Sequence, residues 1–397
     1  MASGSESVIK EDREFLGRDV PAARIEAIGS SGSYIVAKGG RKYLDFTMGW
    51  CVGNAGWGNR KILNAIKKFK GPAYVNPGYL YKRWSELARL LAGIAPGRLR
   101  KSFRATGGTE AVEIALQAAR VTTGRKKFVS LEESYHGHSI GAMSLGSSWF
   151  SRKFGPLLEG CEKISPPFDY EAGRKVEKIL SKEETAAFIS EPIICNLGVA
   201  IPSKEFFEIV SDACKKHGTL LVMDEVATGF GRTGKMFACE HYNLKPDIMT
   251  LGKGITGGYG GIGATMTTPE VAKAMEFDFS FYSTFGWNPL NVEGAIANIK
   301  YLLKHRLWEN AARMESFFKQ ELERIPFRKP FEVWGKGLAL GLGFKGDSDY
   351  ASRVVEKAFE GGLIVNYAGD GIITMFPALD IDEKTALKGL SILRKSA

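Results

Sequence analysis

Residues 219–258 read TLLVMDEVATGFGRTGKMFACEHYNLKPDIMTLGKGITGG, and the two short apolar runs inside them, TLLVM and DIMTL, decide the fold. Each run stops at a polar residue. Asp224 follows the first, and Lys253 follows the second after a single glycine. Upstream, KKFVSL and TAAFISEP repeat the pattern, and Glu191 follows AAFIS in the same way. Between them, SKEFFEIVSDACKKHG has helical spacing, with Phe206, Phe207, Ile209, Val210 and Ala213 on one face and Gly218 at its end. From about residue 100, apolar runs alternating with helical stretches predict β-α units feeding a mostly parallel sheet, an α/β fold.

The chain ends read differently. SGSYIVAKGGRKYLDFT predicts an antiparallel hairpin turning at Gly39-Gly40, and the last third mixes helices with short strands such as LALGLGF and LIVNYAG. Both ends are expected in smaller lobes, giving segments 1–60, 61–295 and 296–397, the middle one holding the main sheet. At 397 residues the chain exceeds what one core organises. With 25% charged residues and no long apolar run, it is not expected to span a membrane. The net charge of +10 is dispersed among acidic residues rather than gathered in a block, which argues against nucleic acid or a membrane surface as partner. Five widely spaced cysteines without a CxxC pair, and a start without a signal pattern, make the cytoplasm the expected compartment.

In an open parallel sheet, ligands bind beyond the carboxyl ends of the strands, where Glu191, Asp224 and Lys253 stand. FRATGGTEAVEIALQAAR adds a helix opened by Gly107 and Gly108, with Thr109 next and Glu110 and Glu113 in the first turn. Free backbone N–H groups at such a start cradle phosphate. Tyr135, beside His136 in SYHGHS, offers a flat surface for a ring. His136 and His138 have no further ligand at metal spacing, so no metal is expected. GFGRTGKM nearly matches a phosphate loop, but Met236 stands where a hydroxyl must meet Mg²⁺.

A lysine able to form a Schiff base, a carboxylate for a pyridine nitrogen, an aromatic plate and a phosphate cup are what pyridoxal phosphate requires. Asp224 would keep the ring nitrogen protonated. Lys253 would bond the aldehyde and, once freed, carry a proton at the substrate carbon. The glycines on either side of Lys253 are expected to let the chain run close to cofactor and substrate.

With these parts in hand, the sequence resembles the class III pyridoxal-phosphate aminotransferases of fold type I over roughly residues 30–380. The likeness is strongest in FRATGGTEAVEIALQAAR, SYHGHSIGAMSLG, ISEPI, LLVMDEVATGFGRTGKMFACEH, PDIMTLGKGITGGY and STFGWNPL. The resemblance implies a central, mostly parallel seven-stranded sheet and a smaller α+β domain built from both chain ends. It also implies that Lys253 and Asp224 are catalytic, and that Tyr135 and Val226 sandwich the cofactor ring. Gly107, Gly108 and Thr109 would lie at the phosphate, with His136 and Glu191 among the cofactor contacts and Arg232 a structural neighbour. Thr284, in STFGWNPL, would reach the phosphate of a partner subunit, which implies a homodimer with shared sites.

Departures from the family pattern concern the substrate. Ala227 replaces a common glutamine, as in amine-type and diaminopelargonate-type branches. Thr374 stands where ornithine-like members carry a carboxylate-binding arginine, and no arginine lies between Arg353 and Arg394. GWGNRKI replaces a GHxHP-like segment and Trp287 replaces a glycine, so an aromatic pocket built from Trp50, Trp57 and Tyr81 is expected, with Arg152 for a keto-acid carboxylate. The implied activity is a ping-pong transfer from an amine or ω-amino compound to a keto acid such as pyruvate. Alternatives are an acetylornithine- or diaminopelargonate-like aminotransferase, a glutamate-1-semialdehyde-type aminomutase, or, from another class, a phosphate- or nucleotide-binding protein using GFGRTGKM.

Overall fold

Apolar runs become strands and helically spaced stretches become the helices between them in the computed structural model, which describes residues 6–18, 20, 25–276 and 282–397. Near the N-terminus β1 (Ala27–Ser31), β2 (Tyr34–Ala37) and β3 (Lys42–Asp45) form an antiparallel meander. Its second turn passes through Gly39 and Gly40, both at φ 83°. Only a residue without Cβ takes that conformation at little cost.

The central sheet has seven strands: β4 (Lys101–Ala105), β5 (Lys127–Leu131), β6 (Cys161–Ile164), β7 (Thr185–Ser190), β8 (Leu220–Asp224), β9 (Ile248–Leu251) and β10 (Gly263–Thr267). Their order is β4-β10-β9-β8-β7-β5-β6. Strands β5 to β9 pair in parallel, while β10 runs antiparallel to both β9 and β4. Every residue of β7 is buried, as expected of a strand covered on both faces. On one face lies the helix Gly108–Thr123, whose Ala111, Ala115, Ala118 and Ala119 are fully buried in one cluster with Ala186, Ala187 and Val222. Small side chains let this helix come close to the strands.

The helix Lys204–His217 shows how the sequence sets element ends. Ser203 Oγ accepts from Phe206 N at 3.1 Å, and Gly218 closes the helix at φ 62°. Phe206, Phe207, Val210 and Ala213 are buried, and Lys215 and Lys216 stand in the last turn, where the dipole favours cations.

The last third contributes β11 (Glu332–Lys336), β12 (Ala339–Gly343), β13 (Leu363–Ile364), β14 (Asn366–Tyr367) and β15 (Ile372–Met375). β13 pairs in parallel with β3, so the first sheet is built from both chain ends. β11, β12, β15 and β14 make a separate antiparallel sheet. LIVNYAG is therefore two strands in two sheets rather than one. Its first half covers the open edge of β3, and after Val365 its second half pairs with β15. Among the described residues no helix is long and apolar enough to cross a membrane.

Candidate active site

Three neighbouring strands deliver polar residues to one end of the central sheet. Asp224, the last residue of β8, lies opposite Thr250 on β9. Glu191 leaves β7 immediately after Ser190, which pairs with Met223. Lys253 stands two residues beyond β9. With Tyr135, Val226 and Gly108 these residues line one cavity of about 160 Å³.

Asp224 is 2% exposed. Its Oδ1 accepts from Thr250 Oγ1 at 2.9 Å and from Val226 N at 3.1 Å, while His136 Nδ1–H donates to Oδ2 at 2.6 Å. Three donors thus fix the plane of this carboxylate. The opposite ring atom, His136 Nε2, is buried without a partner among the described residues. Glu191 accepts from Tyr135 N at 3.3 Å and from Cys195 N at 3.2 Å. Burial raises its carboxyl to about 7, with Asp224 adding to the effect and His136 and Lys253 opposing it. Burial also raises the Tyr135 phenol, against the charge of Lys253. Its hydroxyl and His138 Nδ1 are 2.9 Å apart.

The helix Gly108–Thr123 opens into the same cavity without a side-chain cap. Its first N–H groups are available to an anion. Tight packing shapes this corner. A Cβ on Gly108 would lie 2.8 Å from Val226 Cγ1, and one on Gly252 would lie 3.2 Å from Gly108 Cα. A Cβ on Gly254 would lie 2.6 Å from Asn54 Nδ2. The glycines flanking Lys253 therefore serve close protein packing, against the helix start on one side and Asn54 on the other. Lys253 itself sits at φ 38°, an uncommon value for a residue with a side chain.

The family model for Aminotransferase class-III matches residues 18–396. The chain belongs to the class-III aminotransferases. It is 35% identical over 388 residues to an acetylornithine aminotransferase of Archaeoglobus fulgidus, covering 97% of this chain and 99% of that protein. To a putrescine aminotransferase of Pectobacterium atrosepticum it is 35% identical over 354 residues, covering 86% and 75%. The crystal structure of a Bacillus anthracis aminotransferase superposes with a TM-score of 0.92 at 28% identity, covering 98% of this chain and 97% of that one.

Pyridoxal phosphate is the cofactor of this class-III aminotransferase, and the cavity fits it. The uncapped helix start suits a phosphate, the buried Asp224 carboxylate suits a pyridine nitrogen, and Lys253 is the one amine among the described residues lining the space. Thr109 and His136 line the same cavity. Gly107 precedes the first helical turn, just outside the lining.

The sequence did not single out Gly137, which lines the cavity at φ 131° and where a Cβ would strike Thr109 Oγ1 at 2.4 Å. Its position inside SYHGHS was the available signal. Thr250 was also passed over, although a hydroxyl one strand from Asp224 could have pointed to it.

The residues expected at the substrate do not line this cavity. Trp50 is 53% exposed. Trp57 donates from Nε1 to Asp45 Oδ2 at 3.1 Å, and its ring packs where Gly49, Gly53 and Gly258 leave space. Tyr81 precedes the helix Lys82–Ile94 and meets Trp84 edge-on. Arg152 is exposed on the helix Ser148–Phe154, and Thr284 is exposed ahead of the helix Pro289–His305. Trp287 is no pocket aromatic. It is buried, at φ 61°, and donates from Nε1 to Gly263 O at 2.7 Å.

The GFGRTGKM segment has another use than phosphate binding. Gly231 and Gly234, at φ 96° and 88°, pack against Leu379 and Ala312. Arg232 is fully buried and donates to Leu338 O, Pro377 O and Asn54 Oδ1. The phosphate- or nucleotide-binding alternative falls with this packing and with the family.

Proposed function

We propose that this aminotransferase moves an amino group from an amine or ω-amino compound to a keto acid, pyruvate foremost, in two half-reactions. The observation that carries the choice of donor is Thr374. The position where ornithine-like members carry a carboxylate-binding arginine holds a buried threonine on β15, bonded through Oγ1 to Asn366 Nδ2 at 3.0 Å. A donor without an α-carboxylate leaves no charge unpaired there. The putrescine aminotransferase relative supports the same reading.

When bound, pyridoxal phosphate supplies an aldehyde that condenses with amines and a ring that withdraws electrons. The residues around it then divide the work. Lys253 would hold the cofactor through its Nζ and, once freed, would take and return a proton at the amine-bearing substrate carbon. Asp224 holds the proton on the ring nitrogen, oriented by Thr250 and His136. Tyr135 and Val226, which line the cavity, would cover the cofactor ring, and the N–H groups of Gly108 and Thr109 would bind its phosphate. Glu191, neutral below about pH 7, lines the reacting end without adding charge. The working unit is a homodimer in the cytoplasm, Thr284 of one protomer reaching the other's phosphate.

A second reading, an acetylornithine-like enzyme, is favoured by the Archaeoglobus fulgidus relative. A panel of amine donors assayed against pyruvate and 2-oxoglutarate separates the two. Monoamines, diamines or ω-amino acids with pyruvate should give the highest kcat/KM, with parallel double-reciprocal lines. Preference for N-acetylornithine with 2-oxoglutarate would defeat the proposal.

A further inference from the structure

Outside the active site, three elements of the last third meet around a second cavity, of about 170 Å³. The helix Ser348–Gly361 lines it with Tyr350, Arg353, Val354 and Lys357, a spacing that puts all of them on one helical face. The segment after the helix Leu307–Glu323 adds Arg328 and Lys329. Ser396 and Ala397, at the end of the helix Glu383–Ser396, close the third side. No acidic side chain among the described residues lines the space.

The base of the cavity is fixed and its rim is charged. Val354 is 1% exposed and Tyr350 7%. The Tyr350 hydroxyl accepts from Arg328 N at 3.0 Å, which ties the segment carrying Arg328 to the helix. Asp347 accepts from Tyr350 N at 2.9 Å and holds Lys329 Nζ at 3.1 Å. Arg328, Arg353 and Lys357 are exposed, and none of them makes an ion pair among the described residues. Cations nearby on the same elements do: Lys319 pairs with Glu315, Arg324 with Glu321 and Arg313 with Glu383. Arg353 and Lys357 also stand one helical turn apart, where like charges repel and destabilise a helix unless an anion offsets them.

We propose that this cavity is a binding site for a small phosphate-bearing anion of the diphosphate class, separate from the active site.

The lining suits that ligand. The planar guanidinium groups of Arg328 and Arg353 can each grip two phosphate oxygens, and Lys357 adds a mobile point charge. Because the Tyr350 oxygen already accepts from Arg328 N, its own proton remains to be donated. With Lys329 held by Asp347, three positive charges await a counter-ion, more than a single carboxylate balances. A carboxylate on Ala397, the last residue of the sequence, would offset one of them at most. The volume lies below the roughly 300–1,000 Å³ of sites for drug-sized ligands, which favours a diphosphate or a short phosphoester over a nucleotide.

Pyrophosphate is titrated into the cofactor-loaded protein at low salt, so that the phosphate end of the active site is already filled, and followed by calorimetry and by melting midpoint. About one pyrophosphate should bind per chain and raise the midpoint, with affinity falling as sodium chloride is added. R353S/K357S should weaken binding roughly tenfold or more and leave turnover unchanged. R328S, on a different element, should weaken it as well and serves if the double variant folds poorly. K384S/K388S, which removes the same charge from exposed positions of the last helix, should bind as wild type does. Absence of binding to the wild type, or binding untouched by R353S/K357S and R328S, would overturn the site. Equal weakening in K384S/K388S would reduce it to an adventitious ion only. Displacement of pyrophosphate by succinate at equal concentration would overturn the assignment to phosphate.

Discussion

Lys253 and Glu191 show how much one residue's setting decides. Lys253 is the one amine among the described residues lining the cavity, so Lys253→Ala should lower turnover by roughly 10²- to 10⁴-fold. Borohydride should no longer fix the yellow chromophore to the chain. Because Lys253 is only partly buried, the circular dichroism spectrum and melting midpoint of the variant should stay close to wild type. Retained turnover would remove the assigned role. Glu191 is raised from 4.5 to about 7. Between those values the folded chain keeps a proton that the unfolded chain releases, so stability falls as pH rises through this window, by on the order of 3 kcal/mol at most. Glu191→Gln should flatten that part of the stability profile. Melting midpoints of both proteins at about pH 5 and pH 8 measure it, and equal slopes would mean that Glu191 is not held neutral. Asp224, Glu191 and Lys253 were legible in the sequence because each ends an apolar run, and strand ends of a parallel sheet converge. Trp50, Trp57 and Tyr81 do not line the cavity, and the sequence could not say so, because an aromatic side chain does not declare which way it faces. Trp57 in particular is held by Asp45, by Gly49 and Gly53 close by in the chain, and by Gly258 far along it.

At the scale of the element, the helix Gly108–Thr123 combines two duties. Its alanine face packs on the sheet, and its open start points at the cavity. Both were readable from the glycine pair and the small-residue spacing. What was not readable is the contact that makes Gly108 necessary, since Val226 arrives from the end of β8. Gly108→Ala should force Val226 aside and cost about 1–3 kcal/mol of stability. Cofactor affinity should weaken about tenfold as the helix start shifts. The double variant G108A/V226A, which removes the opposing methyl groups, should recover most of the lost stability. Calorimetry and cofactor titration check both effects, and a G108A protein that binds cofactor normally would show that this contact is slack. The strand hop at Val365 was hidden for a related reason. Strand propensity in LIVNYAG is local, but the edges of β3 and β15 that divide it come from elsewhere in the chain.

At the scale of the whole molecule, the remaining question is whether one chain completes its own site. Thr284 is exposed within the chain and does not line the cavity. Large apolar side chains beside it, Tyr282 and Phe285, and Tyr74, which meets Phe285 edge-on, are exposed as well. Such a patch on one face suits a protein partner. If Thr284 serves the neighbouring subunit of a homodimer, Thr284→Ala should weaken cofactor binding by roughly 10- to 100-fold through loss of a hydrogen bond to a charged phosphate. Hybrid dimers give a sharper test. In a dimer of one Lys253→Ala chain and one Thr284→Ala chain, shared sites concentrate both defects in one site and leave the other wild type. At cofactor concentrations that starve the Thr284→Ala homodimer, the hybrid should therefore turn over at about half the wild-type rate per dimer. If each chain supplied its own threonine, the hybrid would contain one dead site and one starved site, and turnover would stay near background.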